Sequence, residues 1–270
     1  MHKRTLKWIV LAAAIAAPLA VQAHKMWLLP SATNVAGDDP WVTVDAAISN
    51  DLFHPDHHAA SLEQLVITAP DGQTAKPANE AVGKYRSVFD LQLNQQGTYK
   101  LALVSSGLSA SYELDGQKRR WRGKADELRS AIPRAAKNVQ VTASSNRVET
   151  FISNGKPNDT ALKPTGQGLE LVPVTRVTDL VAGEPATFQL LLDGRPAGDL
   201  KVSAIAGATR YRNAQDAITA QTGSDGKFRL TWPHAGMYWI NATTQDDNSG
   251  SKFASKRRLS YTATLEVLPE

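Results

Sequence analysis

Leu91-Gln92-Leu93, three intervening residues and Gly97-Thr98-Tyr99-Lys100-Leu101 recur as Leu230-Thr231-Trp232, three residues and Gly236-Met237-Tyr238-Trp239-Ile240. Each copy gives an alternating strand, a glycine turn and a second strand that opens on tyrosine. Upstream, Val35-Ala36-Gly37-Asp38-Asp39-Pro40 leads into Trp41-Val42-Thr43-Val44, and Val181-Ala182-Gly183-Glu184-Pro185 leads into Thr187-Phe188-Gln189-Leu190-Leu191-Leu192. A turn feeding a strand ahead of both hairpins marks two copies of one β-sandwich plan.

A tyrosine pinning the corner before a late strand is a habit of immunoglobulin-like and fibronectin-like sandwiches. The expected fold is therefore all-β, with two tandem sandwiches of that kind. Further strands are predicted at Leu62–Thr68, Tyr85–Leu93, Tyr99–Val104, Val139–Thr142 and Arg147–Ile152. The second half adds Leu169–Val174, Lys201–Ile205, Phe228–Trp232 and Leu259–Val267. Ser224-Asp225-Gly226-Lys227 supplies the plainest hairpin turn. One short helix is predicted in the first half, Ala125–Ile132, where Leu128 and Ile132 lie four apart and Pro133 ends the run. A polar stretch rich in Pro and Gly predicts a linker over 153–168, between an N-terminal domain 24–152 and a C-terminal domain 169–270.

Residues 1–23 have the layout of a secretory signal peptide. His2, Lys3, Arg4 and Lys7 form a positive start, Ile9–Ala20 an apolar run, and Val21-Gln22-Ala23 a small-residue cleavage motif. The run is too short to span a bilayer, which takes about 20 residues. A periplasmic protein without a membrane span, beginning at His24, is expected. Loss of Lys3, Arg4 and Lys7 leaves 27 basic against 26 acidic residues. That balance removes the electrostatic case for nucleic-acid binding, and the basic stretch Lys118-Arg119-Arg120-Trp121-Arg122 is expected as a solvated loop. With no cysteine, disulfides, thiolate metal sites and thiol catalysis are excluded.

His24-Lys25-Met26-Trp27-Leu28-Leu29-Pro30-Ser31 after the leader, Gly168-Leu169-Glu170-Leu171-Val172-Pro173-Val174, Leu192-Asp193-Gly194-Arg195-Pro196 and the closing Tyr261-Thr262-Ala263-Thr264-Leu265-Glu266-Val267 together resemble a family of bacterial periplasmic proteins. Its domain is of unknown function and often labelled NikM-like, after a nickel and cobalt uptake component. The resemblance spans most of the chain after the leader. It implies a secreted, β-rich protein linked with transition-metal uptake or with TonB-dependent outer-membrane receptors.

Apart from His2, the chain has five histidines, and three of them crowd into Asn50-Asp51-Leu52-Phe53-His54-Pro55-Asp56-His57-His58. Imidazole suits Ni, Cu, Zn and Fe alike, so residue type does not select the metal. A turn would bring His54 and His57 inward together with Asp56 or His58. His24 adds a second element, because a free α-amine and its own imidazole chelate one metal as a pair. One more histidine completes a three-nitrogen site, an arrangement similar to the N-terminal histidine sites of periplasmic copper carriers and copper-dependent polysaccharide monooxygenases. The candidate ligands are thus His24, His54, His57 and His58, with Asp56 as a weak or outer contact.

Catalytic signatures are absent. There is no Gly-x-Ser-x-Gly elbow, no His-Glu-x-x-His helix and no phosphate-cradling glycine loop. The expected function is an accessory protein that binds Ni, Co or Cu, or a metal complex, without catalysis, and works with an outer-membrane receptor or inner-membrane transporter. The alternative is a metal-free periplasmic adaptor or ligand-binding module associated with a TonB-dependent receptor. Its binding surface would draw on Trp121, Arg210-Tyr211-Arg212 and Lys256-Arg257-Arg258, residue types that stack on sugars and grip carboxylates.

Overall fold

A computed structural model describes residues 24–270; the leader expected over 1–23 lies outside the described residues. In the first half the chain forms β1 (Lys25–Pro30), β2 (Asn34–Val35), β3 (Trp41–Ser49), β4 (His58–Ala59), β5 (Leu65–Thr68) and β6 (Thr74–Ala75). It continues with β7 (Ala78–Val82), β8 (Ser87–Gln92), β9 (Gly97–Leu114), β10 (Gln117–Gly123), a one-turn helix α1 (Leu128–Ala131) and β11 (Lys137–Asn154). The second half forms β12 (Leu169–Pro173), β13 (Pro185–Leu192), β14 (Arg195–Pro196), β15 (Lys201–Ala206), β16 (Ile218–Gln221), β17 (Lys227–Thr231), β18 (Gly236–Asp246) and β19 (Lys256–Val267).

The repeat in the sequence is a repeat in the structure. Gly97 and Gly236 both take φ near +130°, 129° and 134°, a conformation that a Cβ disfavours. The Tyr99 hydroxyl accepts from Gln95 N at 2.9 Å, and the Tyr238 hydroxyl donates to His234 O at 2.8 Å. Both bonds reach back four residues, pinning the corner from one tyrosine in each half. Val35 runs parallel to Asn154, and Val181 makes the equivalent parallel bridge to Leu268. The fold is all-β, with two immunoglobulin-like sandwiches.

Each sandwich buries one face of its strands. Leu28, Val44, Phe89, Tyr99 and Leu101 fill the first core; Phe188, Trp232, Tyr238, Ile240 and Tyr261 fill the second. One outer sheet, β1-β3-β8-β7 with β4 added beside β3, belongs to the first half, and a smaller one, built on β12, β13, β14 and β17, to the second. The remaining sheet is common to both. It runs β16-β15-β18-β19-β11-β9-β5-β6, with β10 paired to β9 and β2 to β11. At its centre β11 and β19 lie parallel, Thr142–Thr150 opposite Lys256–Thr264.

Side-chain alternation across this seam puts the two cores on opposite faces of the shared sheet. On β11, Val148 and Ile152 point into the first core while Phe151 points into the second. The seam itself carries buried charge. Arg147 Nη1 lies 3.2 Å from Glu149 Oε1, its Nη2 lies 3.6 Å from Glu170 Oε1, and the Tyr261 hydroxyl donates to Glu149 at 2.7 Å. Burial pushes the Glu149 carboxyl above its usual range, opposed by Lys100, Arg147 and the Tyr261 hydroxyl.

The expected linker is ordered by this network. Glu170 accepts from the backbone N–H groups of Thr165 and Gly166 at 2.8 Å and from Gln167 at 3.3 Å. Ala161 and Leu162 are buried, and Asn158 Nδ2 bonds Pro70 O at 2.9 Å. The stretch 153–168 is thus a packed connection rather than a slack tether.

Two expectations need correction. The basic stretch expected as a solvated loop is strand β10, paired to β9 from Gln117↔Leu114 to Gly123↔Leu108. Asp115 and Gly116, with φ of 52° and 72°, make the turn between them; an Asp-Gly pair suits such a hairpin. The helix expected over Ala125–Ile132 is confined to α1, because Glu127 folds back to accept from Lys124 N and caps a turn ahead of it.

Two stability predictions follow from the buried and half-buried ions. Arg147→Ala strands Glu149 and Glu170 in the seam and should cost about 3–5 kcal/mol in urea unfolding. Glu149→Gln keeps an acceptor for Tyr261 and should cost less than about 2 kcal/mol; equal losses would refute the charge account. At the surface, Arg257 bonds Asp246 at 2.7 Å and Asp193 at 2.5 Å, and these hydrogen bonds hold both carboxyls below their usual range. Depressed carboxyls stabilise the fold above their unfolded value near ~4 and lose that contribution as pH falls through the folded value. Melting temperature measured against pH should therefore fall more steeply on the acid side in the native chain than in Arg257→Met.

Candidate functional site

The histidine-rich segment begins where β3 ends at Ser49. A turn over Asp51–His54, closed by His54 N to Asp51 O at 3.2 Å with Phe53 at φ 61°, reverses the chain. The Asp56 carboxylate then accepts from Asn50 N at 2.9 Å and Asp51 N at 3.4 Å, so the loop is closed on itself by its own side chain. Both halves of the molecule clamp it. Leu52 enters a buried cluster with Trp27, Ala47, Ile205 and Trp239, and Phe53 packs against that cluster. Leu52 N donates to Thr209 Oγ1 at 2.8 Å, Trp27 Nε1 to Ser49 Oγ at 2.8 Å, and Trp239 Nε1 to Met26 O at 3.0 Å.

Strand register carries three histidines to one place. Met26 of β1 and His58 of β4 flank Ile48 of β3 from its two sides. His24, one residue ahead of β1, therefore reaches His57. Their rings stack with centroids 3.7 Å apart and planes 15° from parallel, and His57 meets His58 edge-on at 4.5 Å. All three are exposed.

The other two candidates go elsewhere. His54 Nε2 is paired with the Arg210 guanidinium, which donates to it, and a fixed cation there disfavours a second. Asp56 is occupied by backbone amides. Among the described residues no group of three or more His, Asp or Glu already converges as a metal cage. The stacked rings present their edges side by side, so joint coordination calls for rotation about their side-chain bonds, which exposure leaves free.

Beside His24 opens a groove of about 1070 Å³. It exists because the first outer sheet covers the shared sheet only as far as β1, whereas the second outer sheet packs on the opposite face. The uncovered floor is made of small polar side chains: Ser144 and Asn146 of β11, Ser260 and Thr262 of β19, Asn241 and Thr243 of β18. Lys25, Arg122, Lys124 and Arg258 also line it. Lys25 is buried, and its one hydrogen bond among the described residues runs to Asn50 O at 3.5 Å. Burial lowers its ammonium below the usual range, against the attraction of Asp51.

Sequence reasoning missed this groove. Arg122 lies in a basic stretch that reads as a loop, and the Asp115-Gly116 turn is the sequence signal that marks it as one arm of a hairpin. Arg257 and Arg258, grouped together in sequence, diverge: Arg257 is held by Asp193 and Asp246, while Arg258 faces the groove.

No curated protein matches the chain. Among solved structures it is similar to the D0-D1 domain of Intimin, at 11% identity over 89% of this chain and 97% of that one, with a TM-score of 0.22. Trypsin-activated alpha-2-macroglobulin from Escherichia coli gives 11% identity over 92% and 16%, with a TM-score of 0.22. A marsupial T cell receptor gives 12% identity over 91% and 72%, with a TM-score of 0.21. The sandwich assignment rests on the strand order above and not on these likenesses. No helix among the described residues is long and apolar enough to cross a membrane. A family profile matches residues 21–246, and the chain belongs to that family, the domain of unknown function DUF4198.

Proposed function

We propose that the protein is an exported, periplasmic accessory protein that binds a divalent transition metal, nickel, cobalt or copper, or a complex of one, without catalysis. This is the NikM-like reading, in which it works with an outer-membrane receptor or an inner-membrane transporter. The observation that carries it is the contiguity of His24, His57 and His58, drawn from two separate segments onto one exposed edge. Three imidazoles form a nitrogen-rich donor set of the kind that late first-row metals favour.

Cleavage after Ala23 would add the His24 α-amine to this set. His24 would then supply two nitrogens and His57 a third, with His58 beside them. His54 and Asp56 would stay with Arg210 and the loop amides. A metal bound there is cargo held at the surface, and the clamped loop fixes where His57 and His58 stand.

The test is a calorimetric titration of the chain beginning at His24 with copper, nickel and cobalt, with EPR on the copper form. One-to-one binding should weaken by about tenfold or more, a loss of about 1.4 kcal/mol, in His57→Ala and when one glycine is added before His24. His54→Ala should leave affinity unchanged. Affinity no better than that of an isolated surface histidine would sink the metal reading and favour the adaptor.

A further inference from the structure

The groove next to His24 has a chemistry of its own. Four cationic side chains line it, Lys25, Arg122, Lys124 and Arg258, and no aspartate or glutamate does, the nearest being Asp51 beside Lys25 and Glu127, which accepts from Lys124 N. In a chain so nearly balanced in charge after its leader, that segregation creates a local positive field over a concave surface. The same strands continue it outward. A smaller hollow of about 340 Å³ is lined by Arg120, Arg122, Ser109, Ser111, Gln140 and Thr142, again without a carboxylate.

Its floor and walls narrow the choice of ligand. Serine, threonine and asparagine side chains both donate and accept; Asn241 Nδ2 is shared among Ser260, Tyr261 and Thr262, which leaves the Ser144, Asn146 and Thr243 side chains to match a ligand's hydroxyl groups. Trp239, Ile205 and Met26 give one wall an apolar stretch suited to a carbon skeleton. Arginine grips carboxylates through two parallel N–H bonds. Lys25 is the most pointed of these features: a lysine 7% exposed, lining the groove, whose ammonium has a 3.5 Å contact to a carbonyl and the attraction of Asp51. An incoming anion adds to that partial compensation. The volume is at the upper end of the range for small-molecule sites, about 300–1000 Å³, which fits a ligand of several linked oxygen-bearing units.

We infer that this groove binds a small organic anion bearing several carboxylates and hydroxyls. His24 also lines the groove, but the cations and hydroxyl-bearing floor carry the binding, and it holds whether or not His24 takes a metal. Two sources share the chemistry: a free hydroxy-polycarboxylic acid and a short uronic-acid oligosaccharide.

Calorimetry on the chain beginning at His24, stripped of metal by a chelator, tests it with citrate, with trigalacturonate and with neutral maltotriose. Saturable one-to-one binding of either anion is expected, with none for maltotriose. Citrate alone would point to the free acid and trigalacturonate alone to the glycan. The double variant Arg122→Gln/Arg258→Gln, at two exposed positions where folding is not at stake, should weaken that binding by about tenfold or more, and Lys25→Met should do the same. His57→Ala should leave it intact, which separates failure here from failure of the metal site. Absence of binding by both anions, equal binding of maltotriose, or full affinity in the double arginine variant would overturn the inference.

Discussion

The parallel pairing of β11 with β19 is the contact from which the rest of the molecule follows. Two sandwiches joined by a chain alone would be free to reorient, but here the last long strand of each half hydrogen-bonds to the other. Parallel neighbours whose cores lie on opposite faces force the two outer sheets to opposite sides of one continuous sheet. Buried charge guards the junction: Arg147 lies between Glu149 and Glu170, and Glu170 in turn organises the backbone of 165–167. Such ions are costly to desolvate and are tolerated when every partner is present. The register that satisfies them is thereby set apart from registers that would not.

Both candidate regions are consequences of that offset. Because the first outer sheet stops at β1, its edge meets the back of the second half, and Trp27, Leu52, Ile205 and Trp239 bury their surfaces there. That apolar contact holds a loop whose other residues are polar, and so fixes where His57 stands relative to His24. The same incomplete coverage leaves the floor of the groove open. Strands that would otherwise be apolar on both faces carry Ser, Thr and Asn on the uncovered one, as Ser260 and Thr262 alternate with buried Leu259, Tyr261 and Ala263 along β19.

Local chemistry was legible in the sequence and long-range pairing was not. The glycine-and-tyrosine hairpins gave the two sandwiches because the turn, the positive φ and the corner hydrogen bond all lie within a few residues. The crowding of His54, His57 and His58 is equally plain, and the meeting of His24 with His57 follows once β1 is known to border β3. The pairing of β11 with β19 joins residues more than a hundred positions apart, and no periodicity records which edge strand meets which. For the same reason β11 was predicted as two strands: its middle residues, Ala143-Ser144-Ser145-Asn146, lack the apolar alternation of a half-buried strand because one face there is the groove floor. Asp56 illustrates a further limit, since a carboxylate among histidines has the composition of a ligand set whether it faces a metal or its own backbone.

The residues that mark the family and the residues that carry the groove's chemistry are largely different. Glu170, in Leu169-Glu170-Leu171-Val172-Pro173, caps the connection between the halves, and Asp193, in Leu192-Asp193-Gly194-Arg195-Pro196, accepts from Gly168 N and pairs with Arg257. Tyr261, in the closing strand, is spent on Glu149. These motifs secure the seam. Arg122, Lys124 and Arg258 lie outside them, on or just after the hairpin arm and at the start of β19, where Arg258 is paired opposite Ser144 by its backbone while its side chain is exposed. The N-terminal motif is the exception, since His24 and Lys25 lead into the same strand that delivers Trp27 to the interface. The scaffold therefore sets the position of His24, while Arg122, Lys124 and Arg258 stand on exposed positions outside its buried contacts.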